Sequence, residues 1–419
     1  MTNWEISPRQ WQGKIALILG LALAGGASAD DKKVVDFNGY MRAGMAQKDE
    51  PGRAGCFQLA GTAAKYRLGN ECDFYGEYML GKDAFKAANG TILRANMMFN
   101  AVGGLIGGGT LNNSHYDINQ MYLEARDMPG LGTAKIWAGR RFYKRRMVHI
   151  TDFFYNSPSG TGFGIEDYTV MGKAKLSYAY MDNNGADDPV GATRHNIQLN
   201  DIPLYAGGTL DVAVNHVTDS ANHKPKGNTH SGSNYLVEWA HKLDNTYTNR
   251  LSFQSGRGAA TDANFGAAGN LLAGKETRRW MLMDYVDFQL TPNFGGQLLA
   301  LYETRKDPAL QLNQTWSSVG GRLSYAFTNH FKLLGELGHD RVKPDGGNAR
   351  NLTKFTIAPA LALERGFWSR PELRFYYTYA KWDKAAQSAA ASGSPLAANG
   401  IYGTATNGYN FGIQLETWW

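Results

Sequence analysis

The feature that most constrains this chain is a two-residue alternation of apolar and polar side chains, repeated in short segments between clusters of Gly, Asn, Asp, Ser and Pro. The last segment shows it most clearly. One face of that segment is largely apolar: Tyr409, Phe411, Ile413, Leu415, Thr417 and Trp419. The other face is mostly polar: Asn410, Gly412, Gln414, Glu416 and Trp418. Because side chains alternate faces along a β-strand, this pattern predicts a strand with lipid on one side and water on the other, although a strand of a soluble sandwich alternates in the same way.

Earlier segments repeat the pattern and favour the membrane barrel. Their apolar faces are rich in aromatic residues, as expected for the girdles at the two membrane interfaces. Spans of about 10 residues over about 390 residues allow roughly 16 to 18 strands. A barrel of that size leaves an aqueous channel. We therefore predict an all-β chain that forms a single transmembrane antiparallel β-barrel over residues 30–419.

The N-terminus predicts export. The mean hydropathy of -0.40 is too polar for a helical membrane protein, in which each span needs about 20 apolar residues. One apolar run, IALILGLALAGGASA at residues 15–29, follows the cationic Arg9 and Lys14 and ends in small residues. These parts are typical of a secretory signal peptide, so we expect residues 1–29 to be removed after Ala29. The alternative is an N-terminal membrane anchor.

Charge and cysteine content narrow the function classes further. The net charge of +6 is small for 419 residues, and the arginines are mostly dispersed. We therefore expect no nucleic-acid binding, which needs clustered Lys and Arg on one face. The two cysteines, Cys56 and Cys72, are a disulfide candidate in an exported chain, and the alternative is a pair of free thiols.

The motifs of common enzymes are missing from the sequence. It contains no GxSxG elbow, no HExxH and no P-loop. His149 and Asp152 are close in sequence, but such a pair is more often a hydrogen-bonded loop contact than a site, and zinc needs at least three protein ligands. We expect no catalytic site, no metal and no cofactor.

Aromatic residues on the polar faces carry the functional information. Tyr40 shares its face with Arg42, Tyr75 shares its face with Glu77, and Trp418 lies beside Glu416. A ring on a channel wall can stack on the apolar face of a sugar, while charged groups hydrogen-bond the hydroxyls. Many weak sites in series let a solute enter and leave. The alternative is that these rings pack against a loop folded into the barrel.

The sequence resembles the maltoporins, sugar-specific porins of Gram-negative outer membranes, from Val35 to Trp419. Three stretches carry the resemblance: VDFNGYMR at 35–42 with KYRLGNECDFYGEYMLG at 65–81, IWAGRRFYKRRMVHITDFFY at 136–155, and FWSRPELRFYYTYAKWD at 367–383 with the terminal FGIQLETWW. The resemblance implies an 18-stranded homotrimeric barrel with an inward-folded constriction loop and a Cys56–Cys72 disulfide. It also implies maltose and maltodextrins as solutes, and outer-membrane lipid and lipopolysaccharide as surroundings.

The same resemblance implies the residues of the site. An aromatic slide would consist of Tyr40, Tyr75, Phe154, Trp368, Trp418 and, in a loosely matching region, Tyr247. Polar tracks would consist of Arg42, Arg67, Glu77, Arg145 and Asp152.

Departures from the family pattern leave the solute open. Phe154 stands where the family has a tyrosine, Met147 replaces an acid, and Asn119 replaces an arginine. The loop at residues 103–114 lacks the tryptophan that the family lends to a neighbouring subunit. A less selective glycoporin is therefore one alternative. A general or anion-preferring diffusion porin is another, because Arg141, Arg145 and Arg146 cluster beside the predicted constriction.

Overall fold

The computed structural model describes residues 35–47, 55–104, 115–182, 192–219, 228–244, 246–262, 264–267, 269–308 and 312–419. The expected signal peptide, and residues 105–114 of the loop without tryptophan, lie outside these ranges.

Almost all regular elements of the described residues are strands. The strands are β1 (Asp36–Gln47), β2 (Asp73–Lys86), β3 (Ile92–Gly104), β4 (His115–Arg126), β5 (Lys135–Arg141), β6 (Arg146–Val148), β7 (Phe153–Asn156), β8 (Gly160–Val170), β9 (Ala174–Asp182), β10 (Ala192–Tyr205), β11 (Gly208–Asp219), β12 (Gly232–Leu243), β13 (Tyr247–Gly258), β14 (Arg278–Thr291), β15 (Phe294–Asp307), β16 (Leu312–Ala326), β17 (Phe331–Pro344), β18 (Arg350–Ala362), β19 (Glu372–Trp382) and β20 (Asn407–Trp418). A short helix, α1 (Lys384–Ala389), and a 3₁₀ turn (His149–Thr151) complete the elements. In the part of the chain described, no helix has the length and apolar character needed to cross a membrane.

Eighteen of these strands close into one antiparallel barrel. Each barrel strand pairs with the next one along the chain, β5 pairs with β8, and β20 closes the barrel on β1, with Tyr40 opposite Trp418. Short turns such as residues 206–207 and 292–293 join the strands at the end where β1 begins and β20 stops. Longer connections lie mostly at the other end, as in outer-membrane barrels with short periplasmic turns. The predicted barrel and its strand number are confirmed.

The strands expose apolar side chains on the outside of the barrel and bury polar side chains inside it, which is the reverse of a soluble protein. On β19, the outward residues Phe375, Tyr377 and Tyr379 are exposed, whereas the inward Arg374 and Thr378 are buried. The closing strand follows the same rule. Trp419 lies outside, where its ring contacts Phe37 at 5.4 Å and Tyr78 at 6.0 Å between ring centroids. A terminal aromatic at this position suits the membrane interface.

The first connection folds back into the barrel. We call residues 55–72 the inner loop. The backbone N–H of Leu68 donates to Glu336 on β17 at 2.9 Å, and Lys354 on β18 donates to the Leu68 carbonyl at 2.7 Å. Gln414 on β20 donates to Glu71 at 2.6 Å. Because these partners lie on the inward faces of β17, β18 and β20, the inner loop covers that side of the lumen.

The connection between β5 and β8 also folds inward. We call residues 142–159 the constriction loop, which includes the β6–β7 hairpin. Its Ile150 N–H donates to Gln297 on β15 at 2.9 Å, and the Tyr155 hydroxyl donates to Glu238 on β12 at 2.8 Å. The backbone N–H of Arg67 donates to the Ile150 carbonyl at 3.0 Å, so the two loops also support each other. The predicted inward-folded constriction is confirmed.

Small residues on the wall make room for the inner loop. Gly338 on β17 faces the ring of Tyr66 so closely that a Cβ atom would collide with it. The Tyr66 hydroxyl lies 3.1 Å from that of Ser318 on β16. The docked loop therefore depends on glycine at this close approach.

The predicted disulfide between Cys56 and Cys72 is present, with 5.9 Å between the two Cα atoms. It joins the two ends of the inner loop, and Cys72 directly precedes β2. The bond therefore anchors the inner loop to the barrel wall at its C-terminal end.

Replacing both cysteines by serine should loosen the inner loop while the barrel persists. The chain-entropy model assigns about 3 kcal/mol to a closed loop of this size. We expect faster proteolytic cleavage within residues 55–72, measured by limited proteolysis and mass spectrometry, with unchanged heat-modifiable migration of the barrel in gels. Reductant should reproduce the effect in the wild type and add nothing to the variant. Equal protease resistance of both proteins would contradict the anchoring role.

Candidate functional site

Four inward-facing aromatic rings form a track down one side of the lumen. Tyr75 lies near the start of β2, at the long-loop end of the barrel. Its ring centroid is 6.1 Å from that of Tyr40 on β1. Tyr40 is the cross-strand neighbour of Trp418 on β20. The Trp418 ring lies 6.4 Å from Trp368, which belongs to the turn between β18 and β19. We call these four residues the aromatic track; it runs from the long-loop side of the barrel towards the short-turn end.

Charged groups lie beside the two rings nearest the long-loop end, Tyr75 and Tyr40. Arg42 lies over the Tyr75 ring at 4.9 Å and pairs with Asp73 at 2.9 Å and with Asp152 of the constriction loop at 3.3 Å. The Tyr75 hydroxyl donates to Glu77 at 2.5 Å. The side chain of Asp152 remains about one third exposed, at 34%. Donors and acceptors therefore border the two tyrosines on both the wall and the loop.

One buried carboxylate joins the track to the inner loop. Glu416 on β20 accepts hydrogen bonds from the Tyr40 hydroxyl at 2.9 Å and from Arg374 at 2.5 Å. It also pairs with Arg67 at 3.1 Å and with Arg370 at 2.8 Å. Three cations and a phenol satisfy this single acid, which is how a charge is tolerated when it is removed from water. Glu416 thus fixes Tyr40 against β20.

The prediction that Arg67 belongs to the polar track needs refinement. Arg67 is only 2% exposed, and it donates to Glu71 at 2.7 Å and to the Tyr40 hydroxyl at 2.5 Å. A group so enclosed cannot line the passage. It holds the hydroxyl of Tyr40 from behind.

The constriction hairpin has one side towards the wall and one towards the passage. On the wall side, Arg146 pairs with Glu238 at 2.8 Å, and the ring of Phe153 meets Trp316 on β16 at 6.0 Å. Arg145 and Phe154 point the other way, and the guanidinium of Arg145 lies 3.7 Å from the centroid of the Phe154 ring. Phe154 therefore serves as one face of a stack with Arg145.

His149 connects the constriction loop to the lower track. Its ring meets Trp368 edge-on at 4.9 Å and Trp418 edge-on at 5.9 Å between centroids. Burial is the main reason why the pKa of His149 lies well below its usual value, and the charges of Arg67 and Arg370 act in the same direction. The neutral imidazole therefore packs against both indoles and supports them. The sequence offered no signal for this role, because the partners are more than 200 residues away.

Arg370 supports the same pair of rings. Its guanidinium lies 4.3 Å from the centroid of the Trp418 ring and pairs with Glu416. One face of Trp418 is thus occupied by a cation, while Trp368 keeps 41% of its surface exposed. Of the two lower rings, Trp368 offers the freer stacking surface.

Tyr247 does not join the track. It shares its strand parity with Leu251 and Phe253, which are exposed on the outer face, and its ring packs on the outward His241 at 6.3 Å. No register shift intervenes between β12 and β13. Its assignment to the slide is therefore corrected: Tyr247 is one of the outward aromatics near the short-turn rim.

Asn119 occupies an irregular position on β4. The pairing of β3 with β4 shifts between Met98 and Phe99, so Asn119 has no partner in the ladder. An extra residue of this kind re-aims its neighbours and increases the local twist. In the described ranges, no group of three or more His, Cys, Asp or Glu side chains is arranged to hold a metal ion.

Comparison with protein families decides the identity of the fold. The LamB porin family model matches residues 35–419, almost the whole chain. The chain belongs to the LamB porin family. It is therefore a channel-forming protein of the Gram-negative outer membrane.

Solved porin structures share the fold at low sequence identity. A BenF-like porin from Pseudomonas fluorescens Pf-5 superimposes with a TM-score of 0.52 at 10% identity, covering 92% of this chain and 98% of that one. OccAB2 of Acinetobacter baumannii gives 0.51 at 12% identity over 92% and 98%, and OccAB1 of the same organism gives 0.50 at 10% over 92% and 96%. These similarities concern the fold of the porin alone.

Removing the ring of His149 should widen the channel near its short-turn end. In His149→Ala, the indoles of Trp368 and Trp418 lose their shared support, and a cavity replaces the ring. We expect a higher and noisier single-channel conductance in planar bilayers. His149→Phe keeps a ring at the same place and should retain the wild-type conductance. If His149→Ala conducts like the wild type, the imidazole does not limit the passage.

Proposed function

We propose that this porin is sugar-selective and facilitates the passive diffusion of maltose and maltodextrins along the aromatic track. The observation that carries the proposal is the continuity of the track. The ring centroids of Tyr75 and Tyr40 are 6.1 Å apart, and those of Trp418 and Trp368 are 6.4 Å apart. Tyr40 and Trp418 are cross-strand neighbours that join the two pairs. A general diffusion pore has no need of stacked apolar rings on a wetted wall.

The chemistry of the borders supports the same proposal. A pyranose ring has an apolar face that stacks on an aromatic ring and a rim of hydroxyls that needs donors and acceptors. Arg42, Glu77 and the partly exposed Asp152 border the upper rings and offer both. Moving from ring to ring, a linear sugar would exchange one set of weak contacts for the next, which allows both binding and release.

The composition of the constriction argues for a broader range of sugars than maltodextrins alone. Phe154 has no hydroxyl, and its ring is engaged with Arg145 rather than free for stacking. Met147, on the same hairpin, offers only a thioether. A glycoporin for other linear sugars is therefore the second candidate.

An anion-preferring diffusion porin receives less support. Two of the three clustered arginines are neutralised, since Arg141 pairs with Glu166 at 3.1 Å and Arg146 pairs with Glu238 and Asp211 at 2.8 Å each. Of the three clustered arginines, Arg145 alone forms no salt bridge with the described residues.

We also propose that the porin works as a homotrimer surrounded by outer-membrane lipid and lipopolysaccharide, as the resemblance to maltoporins implies. The outward aromatic residues near both rims, such as Tyr205, Trp280 and Tyr302, suit contact with lipid headgroups. Chemical cross-linking of the native outer membrane tests the subunit number.

Ion current through the reconstituted porin should be blocked by maltooligosaccharides in a saturable way. Because each added glucosyl unit can reach another ring, the affinity should rise with chain length until the track is filled. Titration in planar bilayers with glucose, sucrose and maltooligosaccharides of increasing length measures this. If long maltodextrins leave the current unchanged at millimolar concentration, the maltodextrin proposal fails.

The two C-terminal tryptophans provide a matched pair of variants. Trp418→Ala removes an inward ring and should weaken the block roughly 2- to 10-fold, as expected for the loss of one aromatic stacking contact. Trp419→Ala removes the outward neighbour and should leave the blocking affinity unchanged. Equal affinities for Trp418→Ala and the wild type would show that Trp418 does not contact the sugar.

A further inference from the structure

The passage side of the constriction hairpin carries a clamped cation. The guanidinium of Arg145 lies 4.0 Å from the ring centroid of Phe142 and 3.7 Å from that of Phe154. Both phenyl rings therefore lie close to the central carbon of the planar guanidinium. Such stacking fixes the side chain but supplies no hydrogen-bond acceptor.

Arg145 differs from its charged neighbours in its distance from acids, since Glu77 and Asp152 act on its charge without reaching salt-bridge distance. Arg141, Arg146 and Arg42 each pair with at least one carboxylate within 3.3 Å. Among the residues that the structure describes, Arg145 forms no salt bridge within 4.0 Å, and its buried Nε has no hydrogen-bond partner. The side chain is only partly buried, so part of it remains open to the passage.

Nearby acids are already engaged. Asp152 accepts from Arg42 at 3.3 Å, and Glu77 accepts from the Tyr75 hydroxyl at 2.5 Å. Met147 lies two residues from Arg145 on the same side of the hairpin, because Arg146 and Val148 between and beyond them face the wall. Phe142 and Phe154 are therefore the closest partners of the Arg145 guanidinium, and the charges of Glu77 and Asp152 act on it from beyond salt-bridge distance.

The consequence follows from guanidinium geometry. When both faces of the plane are close to rings, the edge with its N–H groups is the direction left for a ligand. That edge matches the two oxygens of a carboxylate or phosphate, and charged hydrogen bonds of this kind are stronger than those to neutral hydroxyls.

We propose that Arg145, clamped between Phe142 and Phe154, forms an anion-binding site in the constriction that selects sugars carrying a carboxylate or phosphate group. The inference rests on the proposed sugar path and names its substrate class. The aromatic track would bind the sugar rings, and Arg145 would bind the acidic group as it passes. The preference concerns one bound group and differs from a general anion selectivity of the whole pore.

The test compares three blockers of equal length in planar bilayers at low salt, where screening of charge is weakest. They are maltotetraose, the same sugar oxidised to a terminal carboxylate, and the same sugar carrying a terminal phosphate. We expect each acidic sugar to block the wild type roughly 10- to 100-fold more tightly than neutral maltotetraose. The two acidic arms show whether carboxylate or phosphate is the better ligand. Equal blocking by all three sugars would overturn the inference.

Variants locate the effect. Arg145→Gln should abolish the difference in blocking affinity between acidic and neutral sugars. Arg141→Gln, which removes a paired arginine, should keep that difference. Met147→Asp places a carboxylate on the same side of the hairpin and should also abolish the difference, while Met147→Asn should not. A difference that survives in Arg145→Gln would overturn the inference.

Two outcomes separate this inference from the proposed function. If neutral maltooligosaccharides do not block the wild type at all, the sugar path itself is wrong. If they block, but acidic sugars have no advantage, only the anion site fails. Heat-modifiable migration and open-channel conductance establish for each variant that the barrel has folded.

Discussion

The buried carboxylate of Glu416 is the interaction on which the site depends most. It lies on the closing strand, with its side chain fully removed from solvent. It binds Arg67 of the inner loop, Arg370 of the turn between β18 and β19, Arg374 of β19 and the hydroxyl of Tyr40. Breaking a buried ion pair by removing one partner costs roughly 3–5 kcal/mol. One acid thus ties together barrel closure, the docked loop and a ring of the track.

The docked loops explain why a wide barrel can have a narrow, directed path. The inner loop covers the inward faces of β17 to β20, and the constriction loop is held to β12, β14 and β15. The aromatic track lies beside the docked loops, on β1, β2, the end of β20 and the turn that precedes β19. The passage is therefore shaped as much by loop docking as by the strands.

The fold was readable from the sequence because each strand carries its own evidence. Alternation in the closing segment predicted which of two adjacent tryptophans faces lipid, and Trp419 does lie with Phe37 and Tyr78 outside. The strand parity of Tyr40 and Tyr75 was likewise visible, and the structure brings their rings together. Local periodicity is sufficient for such assignments because the side chains of a strand have a period of two.

Long-range contacts were not readable in this way. The resemblance placed a slide residue near Tyr247 or Thr248 in a region that matches the family only loosely. The ladder between β12 and β13 gives Tyr247 its outward parity. His149 looked like an isolated residue beside Asp152, since its partners Trp368 and Trp418 come from distant turns and strands. The burial of Arg67 depends on a loop that docks on residues several hundred positions later.

We propose that sugar travels along the rings of Tyr75, Tyr40, Trp418 and Trp368. An experimental structure of the porin with a long maltooligosaccharide bound tests it most directly. We expect glucosyl rings stacked on these four side chains, with hydroxyls near Arg42, Glu77 and Asp152. Sugar bound along another wall, or these rings covered by the loops while sugar passes elsewhere, would contradict it.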